Sequence, residues 1–228
     1  MAKSKKDDKP QGIKNVEQTL TKTEQILEEN YKPLLIGLGI VVVLVALFWL
    51  GRMYLNNRSN EAQSQMYQAQ RYLEDDSLKL ALNGDGNYLG FLDIAKEYKY
   101  TNAGNLARYC AGICYLHLGN YQDAIDFLNK YHKKDKVIAS IAIGAIGDAY
   151  VELGNTQKGI SEYLAAADYA DNSFNSPLFL LKAGELYEMS GNYKDALKVY
   201  QRIRDKYPNS TEGTTIDKYI ARVNLFIK

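Results

Sequence analysis

This 228-residue chain has little in it that points to chemistry. It has no excess of either charge: 28 basic and 27 acidic residues leave a net charge of +1. Apart from a lysine-rich start the chain is close to neutral, so it has no basic stripe of the kind nucleic-acid binding requires. Cysteine and histidine are scarce, with two of each. Cys110, Cys114 and His117 do fall at i, i+4 and i+7, a spacing that places thiolates and an imidazole on one helix face and suits zinc. A structural site needs a fourth ligand, and His132 belongs to the next helix. The simpler reading is two small thiols buried in a helix–helix seam, with His117 near an exposed turn. Two cysteines four apart on an unbroken helix also aim poorly for a disulfide. There is no Gly-rich phosphate loop, nucleophile elbow or paired catalytic carboxylate; Asp75–Asp76 and Glu28–Glu29 read as solvated charge pairs. The expectation is a protein that is not an enzyme and uses no metal, cofactor or small-molecule substrate.

Charge is missing altogether from Leu34–Leu50, LLIGLGIVVVLVALFWL. A helix rises about 1.5 Å per residue, and a hydrocarbon core of about 30 Å needs roughly 20 residues. Met53–Leu55 extend the run past Arg52, which can snorkel, and Tyr31, Trp49 and Tyr54 fall where interfacial aromatics belong. A cleaved signal would have a shorter apolar run and a small-residue cleavage site. Here no Ala-x-Ala follows, and no cysteine closes the run for a lipid anchor. Residues 33–54 are therefore expected to span a membrane. Seven lysines precede them: Lys3, Lys5, Lys6, Lys9, Lys14, Lys22 and Lys32. This bias places the N-terminus in the cytoplasm and the C-terminal part outside. Within the tail, residues 1–32, Met1–Gly12 reads as disordered. Ile13, Val16, Leu20 and Leu27 then share one face of a short amphipathic helix, with Thr21-x-x-Glu24 a possible capping box. Lys32–Pro33 suggests a break before the span.

The rest of the chain is organised by one recurring pattern, Gly-x-x-Tyr-x-x-x-Gly-Asn. It runs Gly112–Tyr115–Gly119–Asn120, Gly147–Tyr150–Gly154–Asn155 and Gly184–Tyr187–Gly191–Asn192, at intervals of 35 and 37 residues. A fixed period of this size marks a solenoid of helix pairs. In each unit a first helix ends at the Gly-Asn turn. The second helices are expected at Tyr121–Tyr131, Thr156–Tyr169 and Tyr193–Tyr207. The early Gly lets paired helices approach, and the later one ends the first helix in a left-handed conformation. A second small position recurs as Ala124, Gly159 and Ala196. Before the three units, Asn57–Glu74 continues as helix, Asn83–Asn87 is a loop and Tyr88–Tyr98 resumes helical spacing. Gly86-Asn87-Tyr88 matches Gly119-Asn120-Tyr121, which suggests a degenerate first repeat. Ile216–Ile227 is amphipathic and non-repetitive, as a terminal cap should be. The expected layout is tail 1–32, span 33–54, linking helix and degenerate repeat 55–104, three repeats 105–212, and cap 213–228. The fold class is all-α: one N-terminal transmembrane helix, then an α-solenoid with a capping helix.

These residues resemble the tetratricopeptide repeat family, whose unit of about 34 residues places a small residue and Tyr late in its first helix, then Ala, an aromatic and Pro. The third unit matches best, with Gly184, Tyr187, Gly191, Tyr193, Ala196, Tyr200 and Pro208 in register. The second has Gly159 for Ala and lacks the Pro; the first has Leu128 for the aromatic. The resemblance implies a protein-binding array whose first helices line a concave groove. Carried onto this chain, the groove positions are Tyr109, Ile113, Leu116, Asp148, Val151, Leu181, Glu185 and Glu188. Members that clamp a C-terminal carboxylate use Lys and Asn there. Aromatic, aliphatic and acidic residues suit instead an amphipathic or hydrophobic segment of a partner. The alternative is that some of these residues pack on the cap helix and no groove is open. The whole layout is similar to the YfgM-type ancillary subunits of the bacterial Sec translocon. That resemblance implies an inner-membrane protein with a periplasmic domain, contacting SecYEG and the membrane-anchored chaperone PpiD. A scaffold for another envelope assembly, in cell-wall synthesis or division, shares the same anchor and repeats.

Overall fold

A computed structural model describes residues 11–227, with the backbone alone given for residues 11–30 and Leu34. The expected disorder of Met1–Gly12 lies outside what is described except at Gln11 and Gly12, which are helical instead, and the apolar face of Ile13, Val16, Leu20 and Leu27 lies outside it too. The described chain is all-helical. It divides into two compact units, Met1–Tyr54 and Leu55–Lys228.

In the first unit the chain is part of α1 (Gln11–Glu74), which runs unbroken through Pro33. The break expected at Lys32–Pro33 is absent, and no helix begins at Thr21. One proline removes a single backbone hydrogen bond, while the residues around it keep theirs. In an apolar run that is decisive, because every unpaired amide there is costly. From Leu35 to Tyr54 the side chains are exposed all around the helix. The helix is long and apolar enough to cross a membrane.

The second unit holds the end of α1, α2 (Leu78–Asn83), α3 (Phe91–Glu97), α4 (Asn102–His117), α5 (Tyr121–Lys130), α6 (Lys136–Glu152), α7 (Thr156–Ala170), α8 (Asn175–Met189), α9 (Tyr193–Lys206), a 3-10 turn (Gly213–Thr215) and α10 (Ile216–Asn224). The second helices of the three pairs lie within a residue of their expected bounds. The cap helix is shorter than expected, ending at Asn224. Successive helices from α2 to α10 pack on one another, the short turns between α4 and α9 making those antiparallel neighbours, and α4, α6 and α8 also touch one another in order. Position in this stack explains composition. Central α6 is apolar nearly all round, with Ala139, Ala142, Ile143, Ile146 and Ala149 buried. Outer α5 and α9 bury one stripe only, such as Ala196, Val199, Tyr200 and Ile203. Fully burying a side chain like Ile203 stabilises by about 1.5–3 kcal/mol.

The recurring Gly-Asn does two jobs in two residues. Gly119 has φ 77°, and its N–H donates to the Leu116 carbonyl at 3.1 Å while the Asn120 N–H reaches the Tyr115 carbonyl at 2.9 Å. This is a Schellman close. The same pair recurs at Gly154–Asn155 and Gly191–Asn192. At two of the three turns the Asn side chain then caps the next helix: Asn155 Oδ1 accepts the Lys158 N–H at 3.2 Å and Asn192 Oδ1 the Asp195 N–H at 3.4 Å, whereas Asn120 makes no such bond.

A fourth turn of this kind exists earlier than the sequence pattern places it. The Ser77 N–H donates to the Tyr72 carbonyl at 2.7 Å, the Asp76 N–H to the Leu73 carbonyl at 3.1 Å, and Asp76 has φ 56°. Ala69-x-x-Tyr72-x-x-x-Asp76-Ser77 is therefore the structural counterpart of Gly112-x-x-Tyr115-x-x-x-Gly119-Asn120. Asp tolerates the left-handed region where a larger side chain would not. The expected match at Gly86-Asn87-Tyr88 is corrected: these residues lie in the loop between α2 and α3, and α3 begins at Phe91, not Tyr88. Asp85 builds that loop, accepting the Asn87 and Tyr88 N–H groups at 2.9 and 2.8 Å and the Tyr72 hydroxyl at 2.8 Å.

Candidate protein-binding face

Each first helix presents the same row of positions once the turns are aligned. Counting from Ala69, Gly112, Gly147 and Gly184, the residue one further on is Gln70, Ile113, Asp148 or Glu185. Three before stand Met66, Tyr109, Gly144 and Leu181, and six before stand Gln63, Leu106, Ile141 and Leu178. All eight residues expected to line a groove lie on this face and are half-buried.

Their surroundings differ. Tyr109 lies 5.7 Å from Tyr131, ring centre to ring centre, and burial pushes its hydroxyl pKa up to about 12. Tyr109, Ile113 and Leu116 pack on the cluster containing Ile125, Leu128 and Ile146. Val151 and Leu181 pack on the cluster of the C-terminal half. Two of the acids are held internally. Asp148 Oδ1 accepts from the Tyr163 hydroxyl at 2.5 Å and from Lys182 Nζ at 2.7 Å. Burial first, then the bond to Asp148, pushes the Tyr163 hydroxyl far up. Glu188 accepts from the Tyr200 hydroxyl at 2.6 Å and from Arg222 of the cap helix. Glu185 has no internal partner among the described residues.

The packing glycines stand behind this row. A Cβ on Gly147 would sit 2.8 Å from two carbons of the Tyr163 ring, so the glycine is what lets α6 and α7 close on each other.

The open space lies at the N-terminal end of the row. A cleft of about 320 Å³ is lined by Ser59, Gln63, Met66 and Gln70 of α1 and by Asn102, Ala103 and Leu106 of α4. None of its lining residues carries a charge. A second cleft of about 310 Å³ lies against the first turn, between Asp76–Leu80 and Leu118. None of the eight expected groove residues lines either cleft. Ser59, Gln63, Gln70, Asn102 and Leu106 were not expected. The Ala69–Ser77 pattern could have found them, but Ala and Asp-Ser stand there in place of Gly and Gly-Asn.

Cys110 and Cys114 are buried and unbonded, and burial pushes both thiols up to about 12. Among the described residues no group of three His, Cys, Asp or Glu side chains is arranged to hold a metal ion.

The tetratricopeptide repeat family model matches residues 107–135 and 179–210. Both matches open five residues before the packing glycine, Gly112 in one and Gly184 in the other, so they share one register. The unmatched middle unit is the one with Gly159 in place of alanine. No curated protein matches the chain.

Proposed function

We propose that the chain is a membrane-anchored adaptor that holds segments of partner proteins on the face formed by its first helices. The observation that carries this reading is the repeat: four Schellman turns set four first helices side by side, and arrays of this kind bind proteins. The occupied acids Asp148 and Glu188 fix the face, while the uncharged cleft beside Leu106 leaves room for an apolar side chain flanked by main-chain amides. The layout is a tail at 1–32, a span at 33–54, a linking segment and worn repeat at 55–104, three repeats at 105–212 and a cap at 213–228. The chain works in the bacterial inner membrane with its N-terminal lysines in the cytoplasm and its repeats in the periplasm. There it serves as an ancillary subunit of the Sec translocon, touching SecYEG and a PpiD-like anchored chaperone. The lysine bias and the overall layout support this placement.

The test is affinity purification of the detergent-solubilised full chain at native levels, with photo-crosslinkers at Gln63 and Leu106. Translocon subunits in the eluate and crosslinks to partner polypeptides are the expected result. Recovery of cell-wall or division proteins instead would move the chain to another envelope assembly, and no crosslinks at either position would remove the cleft from the binding face.

A further inference from the structure

The two ends of the repeat unit differ in charge, and its chain begins at one of them. First helices all run the same way, so their N-termini gather at the end where Leu55 lies. Contacts link that end step by step. Arg58 stacks 4.4 Å over the Tyr98 ring, and Ser59 faces Asn102 across the cleft. Lys134 Nζ bonds Asn102 Oδ1 at 2.8 Å, Tyr169 donates to the Lys133 carbonyl at 3.3 Å, and Asn175 donates to the Val137 carbonyl at 3.1 Å. Three large apolar side chains project here: Tyr100 is 77% exposed, Phe174 78% and Val137 43%. Around them stand Lys99, Lys130, Lys133, Lys134 and Lys136, against the acids Glu97, Asp135 and Asp171, the last paired with Lys206 at 2.6 Å. Asp135 is occupied in capping α6, accepting the Val137 and Ile138 N–H groups at 2.8 Å. The opposite end also exposes apolar side chains, Leu153 and Met189 among them, but there Lys79, Lys158 and Lys194 stand against the more numerous acids Glu74, Asp75, Asp76, Asp123 and Glu152.

We infer that the lysine-rich end of the repeat unit docks on an anionic bilayer surface. Exposed aromatics beside lysines are what a headgroup layer accommodates, with the rings at the interface and the ammonium groups on lipid phosphates. Charge selects this end over the other. The tether raises the effective concentration, because Leu55 follows the apolar run directly in sequence. The inference rests on reading Leu34–Leu50 as a span.

The experiment uses the full chain in nanodiscs of phosphatidylcholine with and without phosphatidylglycerol. An environment-sensitive fluorophore is placed at Leu55→Cys, Phe174→Cys or Leu153→Cys in turn, and headgroup spin-labelled lipid is the quencher. Expected is quenching at positions 55 and 174 but not at 153, strongest with the anionic lipid. Changing Lys133, Lys134 and Lys136 to Glu lowers quenching at 174 by at least about twofold, and added salt does the same to the unsubstituted lysines. Quenching at 55 with none at 174 overturns the docking and leaves the span in place. No quenching at 55 overturns the span reading, and the docking with it.

Discussion

Arg222 clasps Glu188 in parallel, its Nε and Nη2 each 2.9 Å from one of the two carboxylate oxygens. This joins the cap helix to the last repeat through a side chain that is half-buried beneath it. Removing the guanidinium leaves Glu188 with Tyr200 as its partner. Arg222→Ala is expected to cost about 1–2 kcal/mol in chemical denaturation, and to speed hydrogen exchange in α10 before the rest of the unit. A loss as large in Lys198→Ala, whose partner Asp195 is more exposed, would show that the clasp has no special weight.

Gly159 stands where the other two repeats carry Ala124 and Ala196, so the family pattern invites Gly159→Ala as a stabilising change. The structure gives the opposite sign. A Cβ there would lie 2.5 Å from Cγ2 of Val151, which fills the space. The substitution is expected to destabilise by about 1–3 kcal/mol, as overpacking does. Pairing it with Val151→Ala should recover much of the loss, and thermal melts of the two single variants and the double variant decide the matter.

Cys110 and Cys114 are expected to resist thiol reagents at neutral pH in the folded protein and to react fully once it is unfolded. Burial raises both thiols to about 12, which keeps them neutral, and the thiolate is the nucleophile. Labelling followed by mass spectrometry measures this, and prompt labelling of the native protein would refute it.

Glu162 is held above the ordinary carboxylate range, first by burial, with Lys133 and Lys158 opposing. A carboxyl whose folded pKa is raised contributes stability fully below its unfolded pKa and loses it as pH rises through the folded one. Glu162→Gln is therefore expected to gain stability over the unsubstituted chain at neutral pH, within about 0.5 kcal/mol for a site that is only half-buried. The gain should vanish below the ordinary Glu value of about 4.3. A gain that persists in acid would assign the effect to packing instead of charge.

What the sequence revealed and what it hid follow from how each feature is written. Three turns were legible because glycine and asparagine are nearly obligatory where a left-handed residue meets a helix cap. The first turn was hidden because Asp76 takes the left-handed place of the glycine and Ser77, which makes no side-chain cap bond, takes that of the asparagine, and the loop at Gly84–Gly90 breaks the interval. Losing that turn also hid Gln63 and Gln70, whose place on the candidate face depends on it. The positions of Asp148 and Glu188 were legible from the family's register. Their occupation was not, because Lys182 and Arg222 stand 34 residues away and nothing local marks them as partners.

Among the described residues, ion pairs join side chains about one repeat apart at Asp148–Lys182, Asp168–Arg202, Asp171–Lys206 and Glu188–Arg222. All four lie in the C-terminal half. In the N-terminal half, contacts about one repeat apart are apolar packing and hydrogen bonds with one charged partner, such as Lys134 to Asn102 and Tyr121 to Glu152. Exposed pairs weaken as salt rises, whereas apolar contacts do not. Concentrated salt is therefore expected to weaken the joints between neighbouring repeats in the C-terminal half more than those in the half that holds the cleft.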